Sequence, residues 1–264
     1  MAPAFADDGA IAFRDHGKAV KSLTLAELRE LAPVRTVRVF EPHEGAEVSF
    51  QALPLGDVLT KIYGKGWQSA EQAFFICDDG YRAPVALGDL AKKPAWLAFA
   101  RVGSADFSIT EKEPLVRRID VGPLFLIRGG ERHLAARSKV KEGWPYKIVG
   151  VDLISFASEY PGLTPPSSAS AAVNRGYRAF SRYCVSCHAL GGEGGKVGPE
   201  LAVPVSVTVY YKEQWLKKWI LNPSSIRAGT TMPATIPTGA DQVRTVDDIV
   251  AYLKAMAVAK ASTP

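Results

Sequence analysis

Along the first 157 residues, apolar and polar positions recur with two periods. Leu25, Leu28 and Leu31 fall at helical spacing behind Thr24, which predicts a short helix capped by that threonine. Residues 35–40 and 47–50 alternate with a period of two, as a strand pair would, and residues 54–59 predict a second short helix. Residues 72–76, Gln-Ala-Phe-Phe-Ile, read as a buried strand, and strands are predicted again over 121–127 and 146–154. The expected architecture is a mixed α+β domain over residues 1–157.

Beyond residue 171 the period is helical. Trp215, Leu216, Trp219 and Ile220 recur on one predicted helix, which Asn222 and Pro223 stop. Val246, Ile249, Val250, Tyr252, Leu253 and Met256 mark a closing amphipathic helix. Between the two regions, residues 158–170 replace any apolar period with prolines and small polar residues, the composition of a partly extended linker. The expected second domain, all-α, is residues 171–264, and each side is large enough for its own core.

Cys184, Cys187 and His188 form a C-x-x-C-H motif, the attachment signature of a c-type haem. Two thiols three positions apart on one helical turn can each bond a vinyl group of the same macrocycle, and the adjacent histidine then reaches the iron. A zinc site would need a second ligand pair, and no other close Cys or His pair exists in the chain. A methionine is the second axial ligand that raises the potential of such a haem. Met1 is the start residue and Met256 belongs to the closing helix, where it reads as packing. Met232 stands in a loop of turn formers, before a proline that holds it extended and out of a helix. The expected ligand set is therefore one covalent haem c held by Cys184 and Cys187, with His188 and Met232 on the iron.

With these motifs in order, residues 169–260 resemble a class I cytochrome c domain: Gly176, Tyr177 and Phe180 before the cysteine motif, then Gly198-Pro199-Glu200-Leu201, Met232-Pro233, and Tyr252 and Leu253 in the last helix. The resemblance implies that the Pro199 carbonyl orients His188, that small Gly176 lets the first and last helices cross with Tyr252 packed against it, and that Trp215 and Trp219 wall the haem pocket.

The net charge of +5 resides in this part of the chain, since residues 1–160 hold 21 basic and 21 acidic side chains and the remainder 11 and 6. Lys196, Lys212, Lys217, Lys218 and Arg227 are candidates to ring the haem edge and steer a redox partner with an acidic docking surface. No nucleic-acid motif accompanies the lysines, and no stretch approaches the apolar length of a transmembrane segment. Haem c is attached after export, so the expected location is the periplasm. The chain is then expected to begin near a processed end, with Ala4-Phe5-Ala6 as the remnant of a signal peptide.

Residues 20–157 resemble the sulfite-oxidase-type molybdopterin-binding fold. The likeness rests on residues 54–59 (Pro-Leu-Gly-Asp-Val-Leu), on 75–81 (Phe-Ile-Cys-Asp-Asp-Gly-Tyr), and on 122–127 followed by a basic loop and Tyr146-Lys147-Ile148. In the catalytic family a cysteine thiolate binds molybdenum, and Cys77 occupies a comparable strand end. Asp78 and Asp79 oppose an anionic cofactor there, whereas Arg128, Arg132, His133, Arg137, Lys139 and Lys141 could hold a phosphate or oxyanion. Cys77 is also readable as an inert core thiol, and His16, His43 and His133 carry no ligand spacing.

The expected function is single-electron transfer without bond chemistry, the N-terminal domain docking a redox partner or sensing a ligand without a molybdenum cofactor. The alternative is a molybdenum oxidoreductase of the sulfite-dehydrogenase type, passing electrons from Cys77-bound molybdenum to its own haem. A haem enzyme or gas sensor with an open iron position would require that Met232 not ligate.

Overall fold

The computed structural model describes residues 9–89, 94–111, 116–129 and 144–261. Met1, the Ala4-Phe5-Ala6 tripeptide, and Arg132, His133, Arg137, Lys139 and Lys141 of the expected basic loop lie outside the described residues. The chain divides into two units, Met1–Ser155 and Phe156–Pro264.

The first unit is mixed α/β. β1 (Ile11–Asp15) and β2 (Lys18–Leu23) form a hairpin, followed by α1 (Leu25–Arg29). Thr24 caps α1 through a reciprocal box: its side chain accepts from the Glu27 N–H, and the Glu27 carboxylate accepts from the Thr24 N–H. Leu28 points into the core, with Leu25 and Leu31 packed beside it. β3 (Arg35–Glu41) and β4 (Ala46–Pro54) pair antiparallel, Val37 opposite Phe50, and α2 (Leu55–Tyr63) follows directly. β5 (Gln72–Cys77) and β6 (Arg82–Ala86) form another hairpin; then come β7 (Ala95–Arg101), β8 (Ser108–Glu111), β9 (Arg117–Asp120), β10 (Phe125–Arg128) and β11 (Ile148–Ile154).

Two main sheets result. One has the order β2-β1-β11-β5-β6, with β1 and β11 parallel; the other has the order β10-β7-β4-β3 and is antiparallel throughout. Period-two alternation splits the second sheet between two cores. Leu53, Leu97 and Leu126 face a cluster that includes Phe13, Phe75 and Val151, while Phe50, Ala98, Phe125 and Ile127 face the other. All six residues of β5 are buried, which explains why that strand reads as a continuous apolar run.

Two predicted strands are shorter than their apolar patterns. β10 starts only at Phe125, because Pro123 has no N–H to donate to a ladder. β11 starts at Ile148, because Lys147 adopts a left-handed backbone (φ 55°) that interrupts an extended chain.

The second unit contains α3 (Phe156–Glu159), α4 (Ala171–Tyr183), the two-residue strands β12 (Ala189–Leu190) and β13 (Glu193–Gly194), α5 (Val207–Tyr210), α6 (Glu213–Leu221), α7 (Pro223–Ile226) and α8 (Gln242–Ala261). Helices α4 and α8 cross at Gly176, where a Cβ would lie 1.9 Å from the Asp248 carbonyl oxygen and 2.7 Å from Tyr252 Cβ. Only glycine permits that approach. Tyr252 is fully buried against Tyr177 and Phe180, and Arg175 of α4 donates two hydrogen bonds to the buried Asp248 carboxylate of α8 at 2.7 and 2.8 Å.

Residues 158–170, expected as an extended linker, carry folded structure that belongs to this unit. Phe156 and Leu163 are buried in its core, the Leu163 carbonyl accepts from Tyr252 Oη at 2.6 Å, and the Gly162 N–H donates to the Glu193 carboxylate. Prolines and serines concealed this because two anchors, not a periodic face, hold the segment down.

Candidate functional site

Cys184 caps the C-terminal end of α4, its N–H donating to the Phe180 carbonyl. The chain then turns tightly, with the N–H groups of Cys187 and His188 both donating to the Cys184 carbonyl at 3.1 and 2.9 Å. Val185, buried beneath the turn, fixes its inner side. Neither cysteine is in a disulfide. Burial, followed by neighbouring Cys187, pushes the Cys184 thiol up to about 12, and burial also raises Cys187.

The His188 imidazole is buried, and its Nδ1 lies 2.7 Å from the Pro199 carbonyl oxygen. A carbonyl only accepts, so Nδ1 carries the proton and the Nε2 lone pair is left for a metal. The surrounding loop is shaped to the ring. A Cβ on Gly198 would lie 2.4 Å from His188 Cε1, and one on Gly195 would lie 2.0 Å from the Ser186 carbonyl oxygen. The Gly198 and Gly195 N–H groups donate to the Cys187 and Val185 carbonyls, both at 2.7 Å. Glu200 braces the loop by accepting from the N–H groups of Gly191, Gly192 and Ala202.

Met232 lies in the 227–241 loop, half-buried, and its Sδ accepts from Trp219 Nε1 at 3.1 Å. Its N–H donates to Thr230 Oγ1 at 3.3 Å, and Thr235 Oγ1 donates to the Tyr183 carbonyl, immediately before the cysteine motif. Met256 is buried in the core of the unit, as its helical period predicted. Donor chemistry fits a c-type haem: two unpaired thiols on one turn, an imidazole with its tautomer assigned, and a thioether on a pinned loop.

Other expectations need correction. Trp215, expected to wall the haem pocket, is 46% exposed, because inward-facing Leu216 turns its neighbour roughly 100° away. Instead Lys218 Nζ sits 4.6 Å from the centre of the Trp215 ring. Lys217 is engaged by Glu213 and Asp247 at 2.5 and 2.8 Å, and so adds little to a positive ring. Lys196, Lys212, Lys218 and Arg227 remain exposed.

In the first unit, Cys77 ends β5 opposite Ile148, in a turn closed by hydrogen bonds between its backbone and those of Gly80 and Tyr81. Burial, then Asp79 and Asp78, push its thiol up to about 12. His16 bonds Asp15, and His43 bonds Glu41 at 2.6 Å. Among the described residues, no group of three or more His, Cys, Asp and Glu side chains is arranged to hold a metal ion.

Two features had no sequence signal. Glu41 is fully buried, accepting from His43 Nδ1 and the Glu44 N–H. A cleft of 540 Å³ is lined by residues that include Asp15, His16, Tyr63, Trp67, Glu71 and Ser155.

In comparison with known families, residues 171–253 match the family described as cytochrome C oxidase, cbb3-type, subunit III. This segment, less than a third of the chain, is a c-type cytochrome domain, the class that carries haem c and serves electron transfer. No curated protein matches the chain. Among the described residues, no helix is long and apolar enough to cross a membrane.

Proposed function

We propose that the chain is a periplasmic electron carrier holding one covalent haem c through Cys184 and Cys187, with His188 and Met232 as axial ligands. The observation that carries this reading is the His188–Pro199 hydrogen bond, which leaves Nε2 as the ligating nitrogen beside two unpaired thiols. When bound, the haem supplies one-electron exchange at iron. Pro199 holds the imidazole in one tautomer, Gly198 admits its ring, Gly195 lets the loop pass close to the Ser186 carbonyl, and the 227–241 loop presents the thioether.

The first unit, a mixed α/β region resembling the sulfite-oxidase-type fold, docks a redox partner or senses a ligand; the cleft at Tyr63 and Trp67 supports the second use. The exposed lysines of the cytochrome domain favour a partner with an acidic surface. The alternative, a molybdenum oxidoreductase, needs Cys77 as the metal's thiolate, and the neighbouring carboxylates of Asp78 and Asp79 oppose an anionic cofactor there. The domain division follows the same reading, with a boundary near residue 156.

Elemental analysis of protein made with haem-maturation and molybdenum-cofactor machinery tests both readings. One iron per chain, retained through denaturation and lost in Cys184→Ala/Cys187→Ala, is expected. Near-stoichiometric molybdenum that disappears in Cys77→Ser would establish the alternative.

A further inference from the structure

Trp219 and Met232 belong to separately anchored elements that meet at one hydrogen bond. Trp219 is carried by α6, whose Leu216 is buried in the core with Ile220 packed beside it, and whose neighbouring Lys217 ties the helix to Asp247 of α8. Met232 is carried by the loop that Thr230 and Thr235 restrain. The 3.1 Å contact from indole Nε1 to Sδ is therefore imposed on both partners by their surroundings.

An indole N–H can only donate, and a thioether is a weak acceptor. Its sulfur has two lone pairs. A donor on one leaves the other as the remaining ligand position and withdraws electron density from it. The weakened donor costs the oxidised iron more than the reduced iron, because the higher charge depends more on electron donation from its ligands.

We propose that Trp219 is a positioning residue for Met232: its N–H occupies one lone pair of the sulfur, directs the other toward the iron, and raises the reduction potential. The inference rests on the haem reading above. It adds the claim that the N–H group, rather than the bulk of the ring, does this.

Two replacements separate those contributions in the full-length holoprotein. Trp219→Phe removes the donor and part of the ring. Replacement of Trp219 by β-(3-benzothienyl)alanine, inserted by codon suppression, keeps the bicyclic shape and puts sulfur where the N–H was. Spectroelectrochemistry then reads the reduction potential, and the oxidised spectrum reads the methionine-to-iron charge-transfer band. Both replacements are expected to shift the potential downward with the band retained or moved. A potential unchanged in the benzothienyl protein overturns the proposal, even if Trp219→Phe shifts it, because the effect is then one of packing.

Met232→Ala, examined in parallel, tests the underlying assignment. The band is expected to vanish; its survival would remove Met232 from the iron and overturn this inference together with the ligand assignment. An unchanged potential in the benzothienyl protein, with the band lost only in Met232→Ala, overturns the role of Trp219 alone.

Discussion

The His188 imidazole and the Pro199 carbonyl are joined at 2.7 Å through Nδ1, and Gly198 stands between them in sequence with its α-carbon against the ring. The dipeptide acts twice, Pro199 as acceptor and Gly198 as clearance. Gly198→Ala is expected to push the ring off the Pro199 carbonyl, since a Cβ would meet three ring atoms at 2.4 to 2.9 Å. Lower haem content by haemochrome assay and an altered oxidised spectrum would show this. Gly66→Ala, where the space is open, is the control expected to leave both unchanged.

Gly176→Ala acts on the α4–α8 crossing. The new methyl meets backbone rather than a movable side chain, so the helices must separate and the Arg175–Asp248 and Tyr252 contacts loosen together. Overpacking of this kind costs about 3 kcal/mol. Chemical denaturation of the holoprotein is expected to show a loss of that order, and a change below about 0.5 kcal/mol, the range of a neutral surface site, would refute the close crossing.

Cys77 should behave as a buried neutral thiol. With its folded value near 12, above the ordinary 9.0, its contribution to stability is whole below pH 9 and is lost as pH rises toward 12. In the holoprotein, Cys77→Ala is therefore expected to flatten the alkaline decline in stability between pH 9 and 12. Iodoacetamide at pH 8 should label Cys77 only after unfolding; rapid labelling of the native protein would show an activated thiol.

Glu213 gives the opposite sign. Hydrogen bonds from Lys217 and Lys254 hold its carboxyl at about 2, below the ordinary 4.5. Its stabilisation is present above pH 4.5 and is lost as pH falls toward 2. Glu213→Gln is expected to reduce the acid sensitivity of the second unit in that window. The Glu213 carboxylate is solvent-exposed, so added salt should shrink the difference between the two proteins.

Much of this molecule is legible in residue order, and for one reason: the features concerned are short-range. The C-x-x-C-H turn, the Thr24 capping box, Met232 before Pro233 and the stop at Asn222-Pro223 depend on backbone dihedrals and on spacings of a few residues. Gly176 and Pro199 were also interpretable, but only through resemblance to a family whose helices cross and whose histidine is braced in the same way.

Other features depend on which elements end up beside one another. Nothing in the twelve positions between Trp219 and Met232 states that an indole will face a thioether; the packing of α6 and the anchoring of the 227–241 loop bring them together. Trp215 shows the converse, an apolar residue on a helical period that the final packing leaves outside. Glu41 is a carboxylate on a strand, and only the return of the chain at His43 and Glu44 makes its complete burial tolerable. Residues 158–170 have the composition of a tether and lie folded on the second unit, because Leu163 finds Tyr252 and Gly162 finds Glu193 across long stretches of chain. Local order follows from torsional preference and periodicity, while these partners are chosen when the packed elements exclude water and leave each polar group one place to bond.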